Sequence, residues 1–191
     1  MYEAAAEVLT AAGYQPIGLD HFVLPDDELA VALGKGQLHR NFQGYCTRRT
    51  TAQVYAFGVT GISQLDDCYA QNGRDINTYI ETLNSGQLYI SRGYHLTPQE
   101  KLVRQVVETL MCNYTLNWSD VAAHLGVSAA EVREACGYNE TTFSEMQADG
   151  LLRFDNDHIE VNTCGRPFVR CVAAALDPLM AHNDKQFSKP I

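Results

Sequence analysis

The stretch YEAAAEVLTAAGYQPIGL, Tyr2 to Leu19, combines one helical pattern with one short apolar strand. Apolar residues recur at helical spacing over 2–12, Gly13 stands where a helix C-terminal cap belongs, and Tyr14 to Leu19 predicts a buried strand. A buried parallel strand needs strand neighbours on both edges and helices on both faces, and no run of βα units follows to supply them. The expected fold class is α+β and mostly helical, opening on the terminal helix-strand unit of an α/β barrel.

Polar side chains and aromatic rings crowd the next stretch, GLDHFVLPDDELAVALGKGQLHRNFQGY, from Gly18 to Tyr45. Such a mixture suits a ligand pocket, and residues that follow barrel strands line the site, which places Asp20 and His21 there. The alternative is a hydrogen-bonded pair that anchors the strand end. Adjacent residues on an extended backbone point to opposite sides, so one of the two is expected to face the pocket.

Arg40 and Gln43 are the other candidates for substrate binding in this stretch. Arg40 lies between His39 and Asn41 in a segment with few carboxylates, and its planar fork of donors can grip an acid group. Gln43 can hydrogen-bond in both directions. The acidic run 26–28 follows a proline at a predicted helix start, which favours a role at the helix dipole over a metal site.

The apolar segment VYAFGVTGISQL, Val54 to Leu65, contains glycines at 58 and 61. Small residues allow another backbone or a flat ligand to approach closely, so the segment predicts either a packing turn or a cofactor wall. A helix is expected over Ile76 to Leu83, and a strand over Gln87 to Ile90.

A second unit is expected over residues 95–191, after a barrel edge and connecting segment over 1–94. Thr97 to Glu100 predicts a capping box with proline at the first helical position. Helices are expected over 119–125, from Ser128, over 141–148 and over 166–180, and strands over 151–154 and 158–161. This order predicts a winged-helix-like helical domain.

Charge argues against DNA binding by this second unit. Residues 95–191 hold 8 basic and 13 acidic residues, and the expected recognition helix offers only Arg133 among Glu131 and Glu134. Phosphate contacts supply most non-specific affinity for DNA, and the net negative charge of this unit would repel the phosphates. We therefore expect no nucleic acid partner.

Composition and cysteine spacing argue against a secreted protein, a membrane protein and a metal-binding protein. The net charge of −9 and the absence of a basic, apolar N-terminal segment favour a cytoplasmic protein without a membrane span. The six cysteines include no C-x-x-C pair, and the closest two are seven residues apart. This spacing is typical of neither zinc nor iron–sulfur sites, so no metal is expected on the chain.

Several segments together resemble the oxygen-independent coproporphyrinogen III oxidases, the radical S-adenosylmethionine (SAM) dehydrogenases of haem synthesis. They are DHF-x-x-PDDELAVA, LHRNFQGY, GVTGIS, DDCYAQN, DGL and the terminal QFSKPI. The resemblance covers nearly all of the chain and about the C-terminal two fifths of such an enzyme. It implies coproporphyrinogen III as substrate, with SAM and a 4Fe-4S cluster as cofactors. It also implies that Gly58, Val59 and Ile62 pack against SAM and that Gln43 lies near the substrate or a second SAM.

The cluster motif C-x-x-x-C-x-x-C of these enzymes does not occur here. The chain alone is therefore expected to be inactive and to need the missing N-terminal barrel of the same enzyme as its partner. Two alternatives stay open: a stand-alone winged-helix DNA-binding or regulatory domain, and a paralogue that binds tetrapyrrole without oxidising it. An exposed strand at Tyr14 to Leu19 would also allow two copies of the chain to associate.

Overall fold

The computed structural model describes residues 2–41, 44–47 and 53–181 of the chain. The N-terminal helix α1 spans Tyr2–Ala11 and has no buried residue. Strand β1, Gln15–Gly18, pairs antiparallel with β2, His21–Val23. The predicted helix and strand are both present, but within the described part of the chain β1 has this one strand neighbour and no parallel partner.

A short helix and a hairpin follow. Helix α2, Glu28–Gly34, begins after Asp27, whose carboxylate accepts a hydrogen bond from the backbone N–H of Leu29. Asp27 therefore caps the helix, and the acidic run stands at a helix start as predicted. Strands β3, Leu38–Asn41, and β4, Gly44–Thr47, pair antiparallel and pack against α2.

A three-stranded antiparallel sheet comes next, in the order β5-β6-β7. Its strands are β5, Ile62–Gln64, β6, Cys68–Asn72, and β7, Ile90–His95, and helix α3, Ile76–Asn84, connects β6 to β7. The helix was predicted correctly, whereas the strand expected over Gln87 to Ile90 is wrong. Strand β7 starts only at Ile90, because its partner β6 pairs with the residues from Ile90 to His95.

The longest helix, α4, spans Pro98–Asn113 and begins with the predicted capping box between Thr97 and Glu100. After β8, Thr115–Asn117, come α5, Trp118–Leu125, α6, Ala129–Ala135, and α7, Glu140–Ala148. Strands β9, Leu152–Phe154, and β10, His158–Val161, form the predicted hairpin. The sheet order is β8-β10-β9, and β8 is a strand that the sequence did not reveal.

The single helix expected over 166–180 is wrong. The chain forms a 3-10 turn over Arg166–Phe168, then α8, Val169–Ala174, and a separate short helix α9, Pro178–Ala181. Pro178 has no backbone N–H to donate to the preceding turn, so the helix cannot continue through it.

Two clusters of buried apolar side chains hold these elements together. The larger one is centred on Trp118, Phe143 and Leu110 and joins α4 to α8 with the β8-β10-β9 sheet. The smaller one includes Ile17, Leu38, Tyr45 and Cys112, and so joins β1, β3 and β4 to α4. The fold is a mixture of helices and antiparallel sheets. None of the helices in the described ranges is both long and apolar enough for a membrane span.

Candidate functional site

The turn between β1 and β2 carries the first pair of predicted site residues. Leu19 adopts a positive φ of 49°, and Asp20 and His21 follow it directly. Nδ1 of His21 lies 3.0 Å from Oδ1 of Asp20. The expectation that these neighbours point to opposite sides is therefore wrong, because Asp20 lies in the turn and His21 only begins the strand β2.

The carboxyl of Asp20 has a pKa below its ordinary value. The main cause is a hydrogen bond from its own backbone N–H, and the nearby His21 and Arg170 add to the effect. Its side chain is 83% exposed and that of His21 is 35% exposed. The pair can therefore meet solvent or a ligand while it is held together.

Tyr45 lies beneath this turn and organises the site. It is 8% exposed, and its hydroxyl donates a hydrogen bond of 3.2 Å to the carbonyl of Met111 on α4. Its ring meets the ring of His21 edge-on, with centroids 5.1 Å apart. Burial holds the pKa of Tyr45 well above its ordinary value. Tyr45 is thus a neutral, fixed support for His21.

Arg40 reaches the same ring from the neighbouring strand. Arg40 and Tyr45 are register partners across β3 and β4, and the guanidinium carbon lies 5.5 Å from the centroid of the ring. Nε of Arg40 is buried and has no hydrogen-bond partner among the described residues. Asp20, His21 and Arg40 therefore assemble around Tyr45. Gln43, the remaining candidate, lies outside the described residues.

A buried pair that the sequence did not predict anchors β3 to α4. Nδ1 of His39 hydrogen-bonds to Oε1 of Glu108, and the two side chains are 3% and 13% exposed. A cleft of about 210 Å³ lies beside them, between β3, α4 and α5. The pair is separated by 69 residues in the sequence, so no local pattern could have indicated it.

The residues predicted as a cofactor wall lie in the turn before β5 and at the start of that strand. Gly58 has a φ of 86°, and its backbone N–H donates a hydrogen bond of 2.8 Å to the hydroxyl of Tyr79 on α3. The side-chain amide of Asn72 donates a hydrogen bond of 2.7 Å to the carbonyl of Gly58. Val59 follows in the turn and Ile62 begins β5, and both are half-buried. This segment is a braced packing turn whose ligand-binding role remains a prediction.

Arg133, the one basic residue expected on a recognition helix, packs inward. Its guanidinium carbon lies 5.3 Å from the ring centroids of both Trp118 and Tyr138, and its Nε is buried. The cation is therefore used within the larger core.

Part of the chain matches a known family model. Residues 96–168 match the family model described as "HemN C-terminal domain". These residues are therefore similar to a HemN C-terminal domain. The matched residues run from α4 to the 3-10 turn and contain most of the larger apolar cluster, whose members on and after α8 lie beyond them.

Similarity to named proteins extends beyond these residues. The chain is 39% identical over 192 aligned residues to an oxygen-independent coproporphyrinogen III oxidase of Pseudomonas aeruginosa, covering 100% of this chain and 41% of the relative. It is 35% identical over 185 residues to that of Escherichia coli, covering 96% of this chain and 40% of the relative. The chain thus spans about two fifths of the length of these relatives.

A solved structure matches the fold as well. The structure described as "Coproporphyrinogen III oxidase (HemN) from Escherichia coli is a Radical SAM enzyme" superposes with a TM-score of 0.82 at 35% identity, covering 92% of this chain and 40% of that one. The likeness therefore includes the segments before the HemN C-terminal domain, where the Tyr45 site lies.

Proposed function

We propose that this chain is the C-terminal portion of an oxygen-independent coproporphyrinogen III oxidase and forms one wall of its active site. The proposed whole enzyme oxidatively decarboxylates two propionates of coproporphyrinogen III to vinyl groups in the cytoplasm. Similarity to these oxidases along nearly the whole chain carries the proposal. The paired Asp20 and His21 and the arginine beside them suit a pocket that orients an acidic substrate.

Arg40 is the proposed binding group for a substrate carboxylate. Its guanidinium is held over the ring of Tyr45, and its buried Nε lacks a partner among the residues described. Arg40 is half-buried, and withdrawing an arginine nitrogen from water is costly unless an acceptor pairs with it, so this placement favours a ligand that brings its own acceptor. Gln43, Asp20 and His21 are the proposed neighbours of the same substrate.

Gly58, Val59 and Ile62 are the proposed contacts of SAM. A Cβ added at Gly58 would meet no atom within 4 Å, so the backbone there is open to a flat ligand. The hydrogen bond that Gly58 donates to Tyr79 and the one that it accepts from Asn72 fix the turn and thereby position that open face. These residues would pack against SAM, whose cleavage supplies the radical.

The residues present do not suit the iron–sulfur cluster. A 4Fe-4S cluster is held by cysteine thiolates. Within 2–41, 44–47 and 53–181, the one cluster of potential metal ligands contains a single cysteine. The reactive centre of the proposed enzyme therefore belongs to its N-terminal barrel, and this chain alone would be inactive.

Exposed apolar surface supports the barrel as a partner. On α3 the side chains of Ile76, Ile80 and Leu83 are 59%, 52% and 40% exposed, and Val8 on α1 is 69% exposed. The three α3 residues follow helical spacing and so share one face, and an exposed apolar face of this kind is typical of an interface. Residues 1–94 are thus the proposed barrel edge and connecting segment, and 95–191 the proposed winged-helix-like domain that packs behind it.

A chimera tests the proposal. Residues 1–191 would replace the matching C-terminal part of the Pseudomonas aeruginosa oxidase, and decarboxylation of coproporphyrinogen III would be measured beside SAM cleavage without substrate. We expect the chimera to decarboxylate its substrate. Arg40→Ala should weaken substrate turnover more than SAM cleavage, while Arg153→Ala, at an exposed position on β9, should leave both unchanged.

Three results would count against the proposal. A folded chimera that cleaves SAM but never decarboxylates the substrate would favour the paralogue that binds tetrapyrrole without oxidising it. An equal loss of both activities in Arg40→Ala would remove the assigned role of Arg40. Salt-sensitive binding of the isolated chain to duplex DNA would favour the regulatory alternative instead.

A further inference from the structure

Three potential metal ligands come together at one end of the β5-β6-β7 sheet. Cys68, the first residue of β6, is the register partner of His95, the last residue of β7, and Asp67 precedes Cys68. The thiol, an imidazole nitrogen and a carboxylate oxygen all lie within 4.8 Å of one another. We propose that Asp67, Cys68 and His95 bind one divalent transition-metal ion of the zinc type.

The backbone around these ligands is fixed before any ion arrives. The N–H of Leu65 donates a hydrogen bond of 2.8 Å to the carbonyl of Cys68, which closes the turn between β5 and β6. The N–H of Leu96 donates another of 2.8 Å to the carbonyl of Asp67. The turn and the end of β7 are therefore tied together at the site, and an ion would not have to order them.

Helix α4 holds the same turn from outside. The two terminal nitrogens of Arg104 donate hydrogen bonds of 3.1 Å to the carbonyl of Leu65 and 2.6 Å to that of Asp66. Lys101 also reaches the carboxylate of Asp66 at 3.5 Å. Arg104 and Lys101 are thereby bound to the turn at Leu65 and Asp66. The carboxylate of Asp67 is a different group, and it lies beside the thiol of Cys68.

The donor types select the kind of ion. A thiolate, a neutral imidazole and a carboxylate are the ligands that Zn²⁺ takes in proteins, and three protein ligands leave a fourth position for water. Sulfur and nitrogen donors disfavour Mg²⁺ and Ca²⁺, which prefer oxygen. A single cysteine also excludes an iron–sulfur cluster at this place. Binding would release the proton of the Cys68 thiol to solvent.

The site lies away from the proposed cofactor wall. Ile62 pairs with Gln71, further along β6 from the end that carries Cys68. An ion at Cys68 would join the β5-β6 turn to the end of β7, two residues before the Thr97 cap of α4. Its effect would be to stabilise this junction, and the inference does not rest on the proposed oxidase activity. Because 26 residues separate Cys68 from His95, linear cysteine spacing could not reveal the site.

Cobalt titration of the reduced 191-residue chain tests the site, because tetrahedral Co²⁺ bound to a thiolate has a characteristic absorption. We expect one equivalent of Co²⁺ to give this thiolate charge-transfer band, and added Zn²⁺ to abolish it by displacement. Cys68→Ser should remove the band. His95→Gln and Asp67→Asn should each weaken Co²⁺ binding by about tenfold or more, since loss of even a supporting residue costs that much.

Matched controls come from residues of the same types elsewhere. Cys171→Ser and His124→Ala change exposed side chains outside the cluster and should leave the band and the affinity unchanged. Zn²⁺ should raise the unfolding temperature of the wild-type chain and not that of His95→Gln, with circular dichroism verifying that each variant folds. A wild-type chain without the thiolate band would overturn the proposal, and so would a band that survives in Cys68→Ser.

Discussion

His39 on β3 and Glu108 on α4 form a hydrogen-bonded pair in which Nδ1 of the imidazole meets Oε1 of the carboxylate. The pair joins the hairpin that carries Arg40 to the helix on which the hydroxyl of Tyr45 is anchored. Both side chains are almost fully removed from solvent. Loss of one partner would therefore leave the other buried without its main polar contact.

Glu108→Ala should destabilise the chain by about 1–3 kcal/mol, the cost of stranding a buried polar group. Glu108→Gln retains an acceptor for His39 and should cost less. Urea unfolding followed by circular dichroism measures both values. Glu134→Ala, at an exposed position on α6, serves as the control. Equal unfolding midpoints for Glu108→Ala and Glu134→Ala would show that the buried pair contributes no stability.

Gly18→Ala should disturb the Tyr45 site directly. A Cβ at this position would lie 2.3 Å from the hydroxyl oxygen of Tyr45 and 2.6 Å from the carbon that bears it. Because Tyr45 is also tied to the carbonyl of Met111, the ring cannot retreat freely, and a loss of about 1–3 kcal/mol is expected from overpacking. Thermal unfolding gives the measurement.

Gly34→Ala is the matched control for this substitution. A Cβ there meets no atom within 4 Å, and Gly34 ends helix α2. Its unfolding temperature should be unchanged or raised, since alanine favours the helical backbone over glycine. The double variant Gly18→Ala/Tyr45→Phe removes the nearest contact and should recover part of the loss. A Gly18→Ala chain as stable as wild type would contradict the packing around Tyr45.

Thr97→Ala should lower the free energy of unfolding by about 1 kcal/mol, because the hydroxyl caps the N-terminus of α4. It accepts a hydrogen bond of 3.2 Å from the backbone N–H of Glu100, and the Glu100 carboxylate bonds back to the N–H of Thr97. Ser144→Ala, at an exposed position inside α7, should have little effect. If the two variants unfold at the same denaturant concentration, the Thr97 cap contributes nothing to the free energy of unfolding.

The features that the sequence predicted best are those determined by neighbouring residues. The capping box predicted at Thr97 depends on a glutamate three positions later and is present, and a second box of the same kind starts the helix expected from Ser128. Gly126 ends α5 in the left-handed conformation, as a glycine after a helical pattern predicts. These signals need no knowledge of the tertiary fold.

The features that the sequence missed depend on distant partners. Strand β8 has three residues, and it is defined by pairing with β10 more than forty positions later. The position of β7 follows from its register with β6. At the candidate site, residue type alone makes Arg40 a candidate, whereas its placement over Tyr45 depends on the β3–β4 register. Pairing between distant strands produces no recognisable periodic pattern in the sequence of a short strand.

Alkaline pH should destabilise the chain through Cys136. Burial raises the pKa of this thiol to about 12, and the nearby Asp177 adds to the shift, while an unburied cysteine titrates near 9.0. Because the folded pKa is raised, the contribution to stability is complete below pH 9.0 and is lost as the pH rises toward the folded value. Between pH 9 and 10 the unfolded chain releases this proton first, which removes about 1 kcal/mol.

Comparing the wild-type chain with Cys136→Ala isolates this contribution. The variant starts from a lower stability because it leaves a small cavity, but its loss between pH 9 and 10 should be smaller than that of the wild type. Cys171→Ala changes an exposed thiol and should retain the full wild-type slope. Urea unfolding at a series of pH values measures all three slopes. Parallel curves for wild type and Cys136→Ala would mean that the buried thiol is not the group responsible.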